Sequence, residues 1–417
     1  MRFFALLAAC SLPAAAAIAI QDVTVVDVRA GRTHPHQTVV IDGERIMALG
    51  VPDATRIPAN ARLVNGNGKF LIPGLWDMHV HLWYPENQLP VFLAFGVTGV
   101  QDMGSDYGRL TAWRNEIESG KAAGPHVVTS GPPVSGEDAV GGDKLPVIVA
   151  RSASEARKAF DQLWDLNVDF VSVLPGLSRD AYFALAELAR HWDLRLVGDM
   201  PSSISAHEAL DARQLSLEHL AGVMKSVSTD VEAVEFFRRC ATLGARVSPM
   251  LTWWRRTANL DEGRKSDPRF KYVPASIRKL WAAQDREDDP GASKDQVERV
   301  YRLVALTKDT QVEVLAGTDT GDPFTIPGAT LHDELEQLVA AGLTPREALE
   351  AATIAPSRFL GWDQDMGTVE VGKVADLVLL NANPLADINN TRKIAGVFAR
   401  GKYYSRRALD GILAGVK

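Results

Sequence analysis

The stretch Leu71-Ile72-Pro73-Gly74-Leu75-Trp76-Asp77-Met78-His79-Val80-His81 decides how the chain is interpreted. It leads from an apolar run into a His-x-His pair. Successive side chains of a β-strand point to opposite faces, so a strand here places the imidazoles of His79 and His81 on one face. Zinc and similar divalent ions favour imidazole nitrogen. The pair therefore predicts two ligands of one metal ion, although two solvated histidines at a polar strand end would give the same pattern.

The composition bounds the size of the protein and excludes some partners. The chain has 417 residues and is 46% hydrophobic, which suffices for one large domain and a smaller one. Its formal net charge is −7, and no run of Lys and Arg suggests nucleic-acid binding. After the first twenty residues, no apolar stretch is long enough to span a bilayer.

The first residues predict export. Arg2 precedes a short apolar run and an alanine run, as in a secretory signal peptide over residues 1–17. Cleavage after Ala16 or Ala17 would release the mature chain into the periplasm or the extracellular space. A Leu-Ala-Ala-Cys box ending at Cys10 resembles the site of a lipid anchor. Simple export is favoured because Cys10 lies too near the start for a normal apolar core.

Only one cysteine remains after this cleavage. Cys240 lies in an amphipathic helical pattern, which predicts a small core residue and not a nucleophile. A single cysteine cannot form an intramolecular disulfide, even though export would permit one.

Both ends of the mature chain show the alternation that is typical of strands. Residues 18–48 alternate apolar and polar positions with a turn signal at Asp42-Gly43, and residues 361–405 return to short strands. We therefore expect residues 18–72 and 360–408 to pair into one composite β-sandwich domain.

Between the two ends, residues 73–359 alternate short β-rich runs with helical periodicity. Besides the His-x-His strand, the predicted strands cover residues 99–101, 126–129, 170–173, 195–198, 215–218, 246–248 and 313–317. The predicted helices lie near residues 153–166, 179–192, 230–243, 295–310 and 331–342. Eight βα units over this length predict an α/β fold of the (β/α)8 TIM-type barrel class. A doubly wound open sheet is the alternative, but no Gly-rich phosphate fingerprint follows any strand.

Metal-capable residues end several of the predicted strands. Active sites of such barrels lie at the carboxyl ends of the strands. His79 and His81 end the first strand, Asp199 the fifth, His219 the sixth and Asp319 the eighth. Five such side chains at matching places predict a metal site with these residues as ligands.

The sequence resembles the amidohydrolase superfamily, and in particular its imidazolonepropionase-like and prolidase-like secreted members. The matching motifs are Pro73 to His81, Gly96 to Val100, Glu218-His219, Gly317 to Gly321, Leu331 to Leu335, Gly367 to Gly372, and Ala375-Asp376-Leu377. The resemblance covers essentially the whole mature chain. It implies a metal-bearing barrel with a small β-sandwich domain made from both chain ends, in agreement with the patterns above.

The resemblance implies a ligand set that the chain keeps only in part. In binuclear members, the His-x-His pair and the last-strand Asp hold one metal, histidines on strands five and six hold the second, and a carboxylated lysine on strand four bridges both. The residues that match are His79, His81, His219 and Asp319. Ser172 stands in place of the bridging lysine, and Asp199 in place of the fifth-strand histidine.

These two replacements favour one divalent ion, with zinc as the expected metal. Ser172 offers a neutral hydroxyl, so two adjacent cations would repel each other with little compensation. Asp199 restores one negative charge and an oxygen ligand. We expect a single ion on His79, His81 and Asp319, together with Asp199 or His219.

The predicted activity is metal-assisted hydrolysis of an amide or peptide-like carbon–nitrogen bond in a small substrate. A bound metal lowers the pKa of water and polarises a carbonyl. The predicted catalytic residues are Asp319, which moves the proton of water to the leaving nitrogen, and His219, which steadies the oxyanion or completes the metal shell. The alternative is a degenerate homologue that binds a small ligand or partner without hydrolysis. Substrate identity and oligomeric state stay open, and a homo-oligomer is compatible with the sequence.

Four further features are candidates for a role at the site. An arginine of Trp253-Trp254-Arg255-Arg256 could hold a substrate carboxylate or lie on the surface over packed tryptophans. Asp77 could order a histidine or help to end its strand. His332 is expected to cap a helix or support the site without binding the metal. The long, charged segment 261–290 could form a mobile lid near the barrel mouth.

The predicted signal peptide over residues 1–17 allows a test of export. Expressed in a Gram-negative host, the mature protein is expected in the periplasm, beginning at Ala17 or Ile18, by N-terminal sequencing. Cys10→Ala is the matched control because it abolishes lipidation and leaves simple export unchanged. Full-length protein confined to the cytoplasm would contradict export, and a membrane-bound fraction released by Cys10→Ala would favour the lipid anchor.

Overall fold

A computed structural model describes residues 16–136, 146–261, 266–284 and 291–416. Nearly all of the predicted leader, Cys10 included, lies outside the described residues, as does part of the predicted lid segment 261–290. The first strand begins at Ile18, directly after the expected cleavage sites. Within the described residues, no helix combines the length and the apolar character that crossing a membrane requires.

The strands and helices alternate through the middle of the chain. The strands are β1 (Ile18–Asp27), β2 (Arg32–Asp42), β3 (Arg45–Gly50), β4 (Arg62–Asn65), β5 (Phe70–Pro73), β6 (Leu75–Val80), β7 (Val97–Asp102), β8 (His126–Thr129), β9 (Val134–Ser135), β10 (Ile148–Val149), β11 (Val171–Val173), β12 (Leu196–Gly198), β13 (Ser216–Glu218), β14 (Arg246–Ser248), β15 (Leu377–Leu380), β16 (Ile394–Ala399) and β17 (Lys402–Ser405). The α-helices are α1 (Pro85–Ala94), α2 (Tyr107–Glu118), α3 (Ala153–Leu166), α4 (Arg179–His191), α5 (Ala206–Asp211), α6 (Ala221–Ser226), α7 (Asp230–Leu243), α8 (Leu251–Thr257), α9 (Ala275–Gln284), α10 (Lys294–Thr307), α11 (Ala329–Ala340), α12 (Pro345–Ala351), α13 (Ile354–Leu360) and α14 (Arg406–Ala414).

The five helices predicted from periodicity correspond to α3, α4, α7, α10 and α11. Local sequence explains where they begin, since α7 starts with a capping box in which the Thr229 hydroxyl accepts from the Glu232 backbone N–H. The buried face of α7 consists of Ala233, Phe236, Phe237 and Cys240. Cys240 is therefore a core residue, and burial raises the pKa of its thiol to about 12, which leaves it unsuited to act as a nucleophile.

Strands from both chain ends belong to one eight-stranded sheet. Its order is β17-β16-β15-β5-β1-β2-β3, with β4 beside β1. The two ends meet where β15 pairs antiparallel with β5, placing Leu379 opposite Leu71. The inner residues Ile20, Val39, Leu71, Leu377 and Phe398 pack into one apolar cluster. The pairings thus define one sheet to which both chain ends contribute. The β-sandwich domain expected from residues 18–72 and 360–408 stays a prediction.

The parallel strands of the middle region form three separate sheets, β6-β7-β8, β10-β9-β11-β12 and β13-β14. Regular pairing therefore does not produce one continuous eight-stranded barrel sheet. Backbone hydrogen bonds lead from each sheet to the next and, through residues 313–320, back to the first. They run from Asp169 N to Thr129 O at 2.9 Å, from Leu215 N to Leu196 O at 2.8 Å, from Leu315 N to Val247 O at 2.9 Å and from Met78 N to Ala316 O at 2.8 Å.

The predicted eighth strand over residues 313–317 is wrong as a regular strand. Val314 makes one isolated parallel bridge with Val247, and Thr320, beyond the predicted strand, makes another with Val80. Asp319 has a φ of 58°, a left-handed conformation that cannot continue an extended ladder. The segment also lies very close to β6, since a Cβ on Gly317 would be 2.8 Å from the Cβ of His79.

Candidate metal centre

Three imidazoles converge on the Asp319 carboxylate. The Nε2 atoms of His79 and His81 lie 3.6 Å and 3.3 Å from Asp319 Oδ1. His219 Nε2 lies 3.4 Å from Asp319 Oδ2. Four of the five predicted ligands therefore meet at one point, although they come from three distant parts of the chain.

The donor set fits a divalent ion. The ligand atoms of His79, His219 and Asp319 lie within 4.8 Å of one another, and all three residues are buried. Two imidazole nitrogens and a carboxylate oxygen are ligands that zinc accepts. His81 adds a third imidazole on the same carboxylate oxygen as His79. Among the residues that the structure describes, this is the one cluster of His, Cys, Asp and Glu that meets the spacing of a metal site.

Each imidazole uses its other nitrogen for an acceptor. The contacts are His79 Nδ1 to Glu218 Oε2 at 2.9 Å, His81 Nδ1 to Gly104 O at 3.0 Å, and His219 Nδ1 to Asp199 Oδ1 at 2.9 Å. With the hydrogen on Nδ1, the neutral ring keeps the Nε2 lone pair for a metal. All three rings therefore turn the same atom toward Asp319.

Asp199 lies beside His219 and not beside Asp319. Its carboxylate accepts from the Nδ1 side of the ring, opposite the Nε2 atom that faces Asp319. The Asp199 side chain is 22% exposed, whereas that of Asp319 is 7% exposed. Asp199 has the contacts of a residue that orients an imidazole, and its predicted role as a metal ligand stays a prediction.

Comparison with known proteins assigns this arrangement to a family. The amidohydrolase family profile matches residues 70–403. The chain belongs to the amidohydrolase family. This membership makes the chain a hydrolase that acts on carbon–nitrogen bonds, and it confirms the family predicted from the sequence motifs.

Individual relatives agree with this assignment. An imidazolonepropionase of Alkaliphilus metalliredigens is 21% identical over 386 residues, which span 82% of this chain and 83% of the relative. A Bifidobacterium longum protein described as a prolidase has a crystal structure with a TM-score of 0.79 at 25% identity, covering 97% of this chain and 100% of that one. A bottromycin amidohydrolase gives a TM-score of 0.75 at 23% identity over 96% of this chain and 90% of its own. These likenesses imply a TIM-barrel-type fold, in agreement with the ring of hydrogen bonds described above.

The two positions that depart from the binuclear pattern lie on neighbouring strands. Ser172 is buried in the middle of β11 and pairs with Val197 of β12. Asp199 follows β12, and its backbone N–H donates to Val173 O at 3.0 Å. The resemblance to binuclear members implies a carboxylated lysine and a histidine at these two adjacent places, so both departures concern the same side of the site.

Opposing effects set the charge state of the cluster. Burial lowers the pKa of His81, but the hydrogen bond and charge of Asp319 outweigh it and raise this pKa to about 9. Burial alone would raise the pKa of Asp319, whereas hydrogen bonds from His219 and His81 hold it well below its usual range. The buried carboxylate therefore requires positive charge around it, from protons or from a metal ion.

Asp77 joins the first strand of the ring to the segment that carries Asp319. Its Oδ1 accepts from Thr318 N at 3.1 Å and its Oδ2 from Thr318 Oγ1 at 2.7 Å. The backbone N–H of His79 lies 3.4 Å from Asp77 Oδ1. Burial raises the pKa of Asp77 to about 8. Asp77 thus orders the backbone beside His79 and Asp319 through hydrogen bonds that do not involve an imidazole.

The other sequence candidates are held by contacts outside the four converging residues. Arg255 Nε donates to Asp261 Oδ1 at 2.8 Å, and Arg256 Nη2 donates to Asp322 Oδ2 at 3.1 Å. His332 contacts the Thr391 hydroxyl and the Phe95 carbonyl at 2.9 Å each, which makes it a buried link between distant segments and not a ligand. Burial lowers the pKa of His332 to about 4.

Sequence reasoning missed Glu218 as a partner of His79. Strict alternation would place Glu218 and His219 on opposite faces, but His219 has a φ of 56° and leaves the strand conformation. Both side chains can therefore serve the site. The neighbouring motif Glu218-His219 carried a signal, since carboxylates commonly hold metal-binding histidines.

Glu218→Gln is expected to weaken Zn²⁺ binding about 10- to 100-fold, the usual cost of losing the carboxylate behind a metal-binding histidine. An amide accepts less strongly from His79 Nδ1 and does not hold the tautomer as firmly. Affinity is measured by competition with a chromophoric chelator, and folding by circular dichroism. The exposed Glu235 of α7 provides the control Glu235→Gln. Equal Zn²⁺ affinity in both variants would contradict a role for Glu218 at the metal centre.

Proposed function

We propose that this amidohydrolase hydrolyses an amide or peptide-like bond of a small substrate at a site with one divalent ion, and that it acts after export. The convergence of His79, His81 and His219 on Asp319 carries this proposal. Export rests on the sequence of residues 1–17 alone.

His79, His81 and Asp319 would hold the ion, and His219 would complete the set. Their buried donor atoms and the acceptors behind each ring support this assignment. When bound, a divalent ion, which we propose to be zinc, lowers the pKa of water and polarises a carbonyl.

Asp319 would accept the proton of the attacking water and pass it to the leaving nitrogen. Its buried carboxylate faces the three imidazoles, and a carboxylate can accept and return a proton. His219 would donate from Nε2 to the oxyanion or contribute that atom to the ion. Asp199 would hold the His219 ring in either role through Nδ1.

One ion is proposed because the chain lacks the groups that hold two. The serine hydroxyl of Ser172 carries no charge, and the Asp199 carboxylate is occupied by His219 Nδ1. Paired metal ions lie about 3.5–4 Å apart and repel each other strongly without a shared anion.

The solved relatives suggest a dipeptide-like substrate. One is a Xaa-Pro dipeptidase with methionine bound in its active site, at a TM-score of 0.72 and 18% identity over 94% of this chain and 100% of that one. The imidazolonepropionase relative favours a cyclic amide instead, so both classes belong in a substrate panel.

The metal content tests the single-ion site. We expect about one ion per chain in protein purified without chelator, by elemental analysis, and about two in Ser172→Lys/Asp199→His supplied with bicarbonate, because this variant restores both lost ligands. Asp199→Asn keeps an oxygen that accepts from His219 Nδ1, so it is expected to retain the ion if Asp199 only orients the ring.

Each other result contradicts part of this assignment. Two ions in the natural chain would show that Ser172 does not prevent a binuclear site. A loss of Zn²⁺ affinity in Asp199→Asn well beyond about 100-fold, the upper cost of losing the carboxylate behind a metal-binding histidine, would make Asp199 a ligand. No ion in the natural chain would favour a degenerate homologue that binds a ligand without turnover, which is the alternative that Ser172 and Asp199 suggest.

Hydrolysis is tested on a panel of dipeptides, N-acyl amino acids and cyclic amides with Zn²⁺ added. Asp319→Asn is expected to lower kcat about 10²- to 10⁴-fold, since an amide cannot accept the water proton. The exposed Asp309 supplies the control Asp309→Asn, which is expected to leave kcat unchanged. No hydrolysis of any substrate by the metal-loaded natural chain would count against the proposal and for the ligand-binding alternative.

A further inference from the structure

Glu334 of α11 is a buried carboxylate that the proposed reaction does not use. It is completely buried, and its Oε1 accepts from the backbone N–H of Leu251 at 2.9 Å. Its Oε2 accepts from Thr252 N and from Thr252 Oγ1, both at 2.8 Å. Burial raises its pKa to about 7, so the surroundings oppose its charge. All three donors belong to the first turn of α8.

Helix α8 carries side chains that contact His219 and the segment that follows Asp319. The Trp253 ring lies 4.5 Å from the His219 ring, centroid to centroid. Trp254 Nε1 donates to the His219 carbonyl at 2.8 Å. Arg256 Nη2 donates to Asp322 Oδ2 at 3.1 Å, three residues beyond Asp319. The position of α8 therefore bears directly on His219.

The local sequence cannot fix α8 by itself. Its N-cap residue, Met250, has a φ of 50° and no side chain that caps the helix. The first N–H groups of a helix lack internal acceptors, and Glu334 supplies them from a helix more than 80 residues away. His219 and Leu220 also have positive φ, at 56° and 61°. Such residues keep this conformation only where their surroundings hold them in it.

We infer that Glu334 is a positioning residue for His219. It holds the first turn of α8, α8 places Trp254, and Trp254 holds the backbone of His219 so that Nε2 faces Asp319. Glu334 itself touches none of the proposed ligands. The value of this arrangement for catalysis rests on the proposed function, whereas the coupling from Glu334 to His219 can be measured without a metal.

The test uses the mature full-length chain and three single variants. Glu334→Gln leaves one acceptor and turns an NH₂ group toward the other backbone N–H. Trp254→Phe removes the donor to the His219 carbonyl and keeps an aromatic ring. Glu336→Gln is the matched control, because Glu336 lies on the same helix with a 45% exposed side chain that pairs with Arg392.

Hydrogen exchange of the metal-free protein reports on the segment itself. Glu334→Gln and Trp254→Phe are each expected to speed exchange of a peptide covering residues 216–226 about tenfold, with no change in a peptide from α3 and α4. Each should also weaken Zn²⁺ binding about tenfold or more. In the double variant, the loss of affinity should not exceed that of the stronger single variant, since both act along one line of contacts. Glu336→Gln should match the natural chain.

Two results would overturn the inference. Equal acceleration of exchange at residues 216–226 and in α3 and α4 would show a general loss of stability and no positioning role. Fully additive losses of Zn²⁺ affinity would show that Glu334 and Trp254 act independently. If the natural chain binds no Zn²⁺, the proposed function fails, while the exchange measurement still decides whether Glu334 positions His219.

Discussion

The buried Asp319 carboxylate is the group on which the rest of the metal centre depends. An ionised carboxylate withdrawn from water is costly unless cations or donors surround it. Here the donors are His79, His81 and His219, from the ends of the first and sixth strands of the ring. The carboxylate can be accommodated only when these distant segments have come together. The same convergence that stabilises Asp319 in the metal-free protein also creates a ligand set for a divalent ion.

Carboxylates that reach across the sequence fix this convergence. Asp77 binds the backbone and hydroxyl of Thr318 across 241 residues. Glu218 binds His79 across 139 residues, and Glu334 binds the start of α8 across 83. In each case a side chain from one element supplies acceptors that the other element lacks locally. Burial disfavours the charge of Asp77 and Glu334, so their hydrogen bonds are what make these buried acids tolerable.

Ser172 and Asp199, the two positions that depart from the binuclear pattern, lie on one side of the site. In the binuclear pattern that the sequence resembles, a carboxylated lysine and a histidine bridge and hold a second ion, and Ser172 and Asp199 stand at those places on adjacent strands. Asp199 does not simply stand in for the histidine, because its carboxylate is turned to His219 Nδ1. His219 thereby keeps a defined orientation through Asp199. Its Nε2 stays directed at Asp319, where it can serve a single-ion site.

The sequence by itself determined the family, five of the helices, and the four metal-site residues that meet in the structure. Those features follow from periodicity and from residue types at strand ends, which are local properties. Only the tertiary structure decided that residues 313–317 form no regular strand, that Asp199 lies behind His219, and that Glu218 and Glu334 support the site. These outcomes depend on left-handed residues such as Asp319 and His219, which break the alternation on which sequence reasoning relies. They also depend on hydrogen-bond partners far apart in the chain, whose meeting no local pattern can specify.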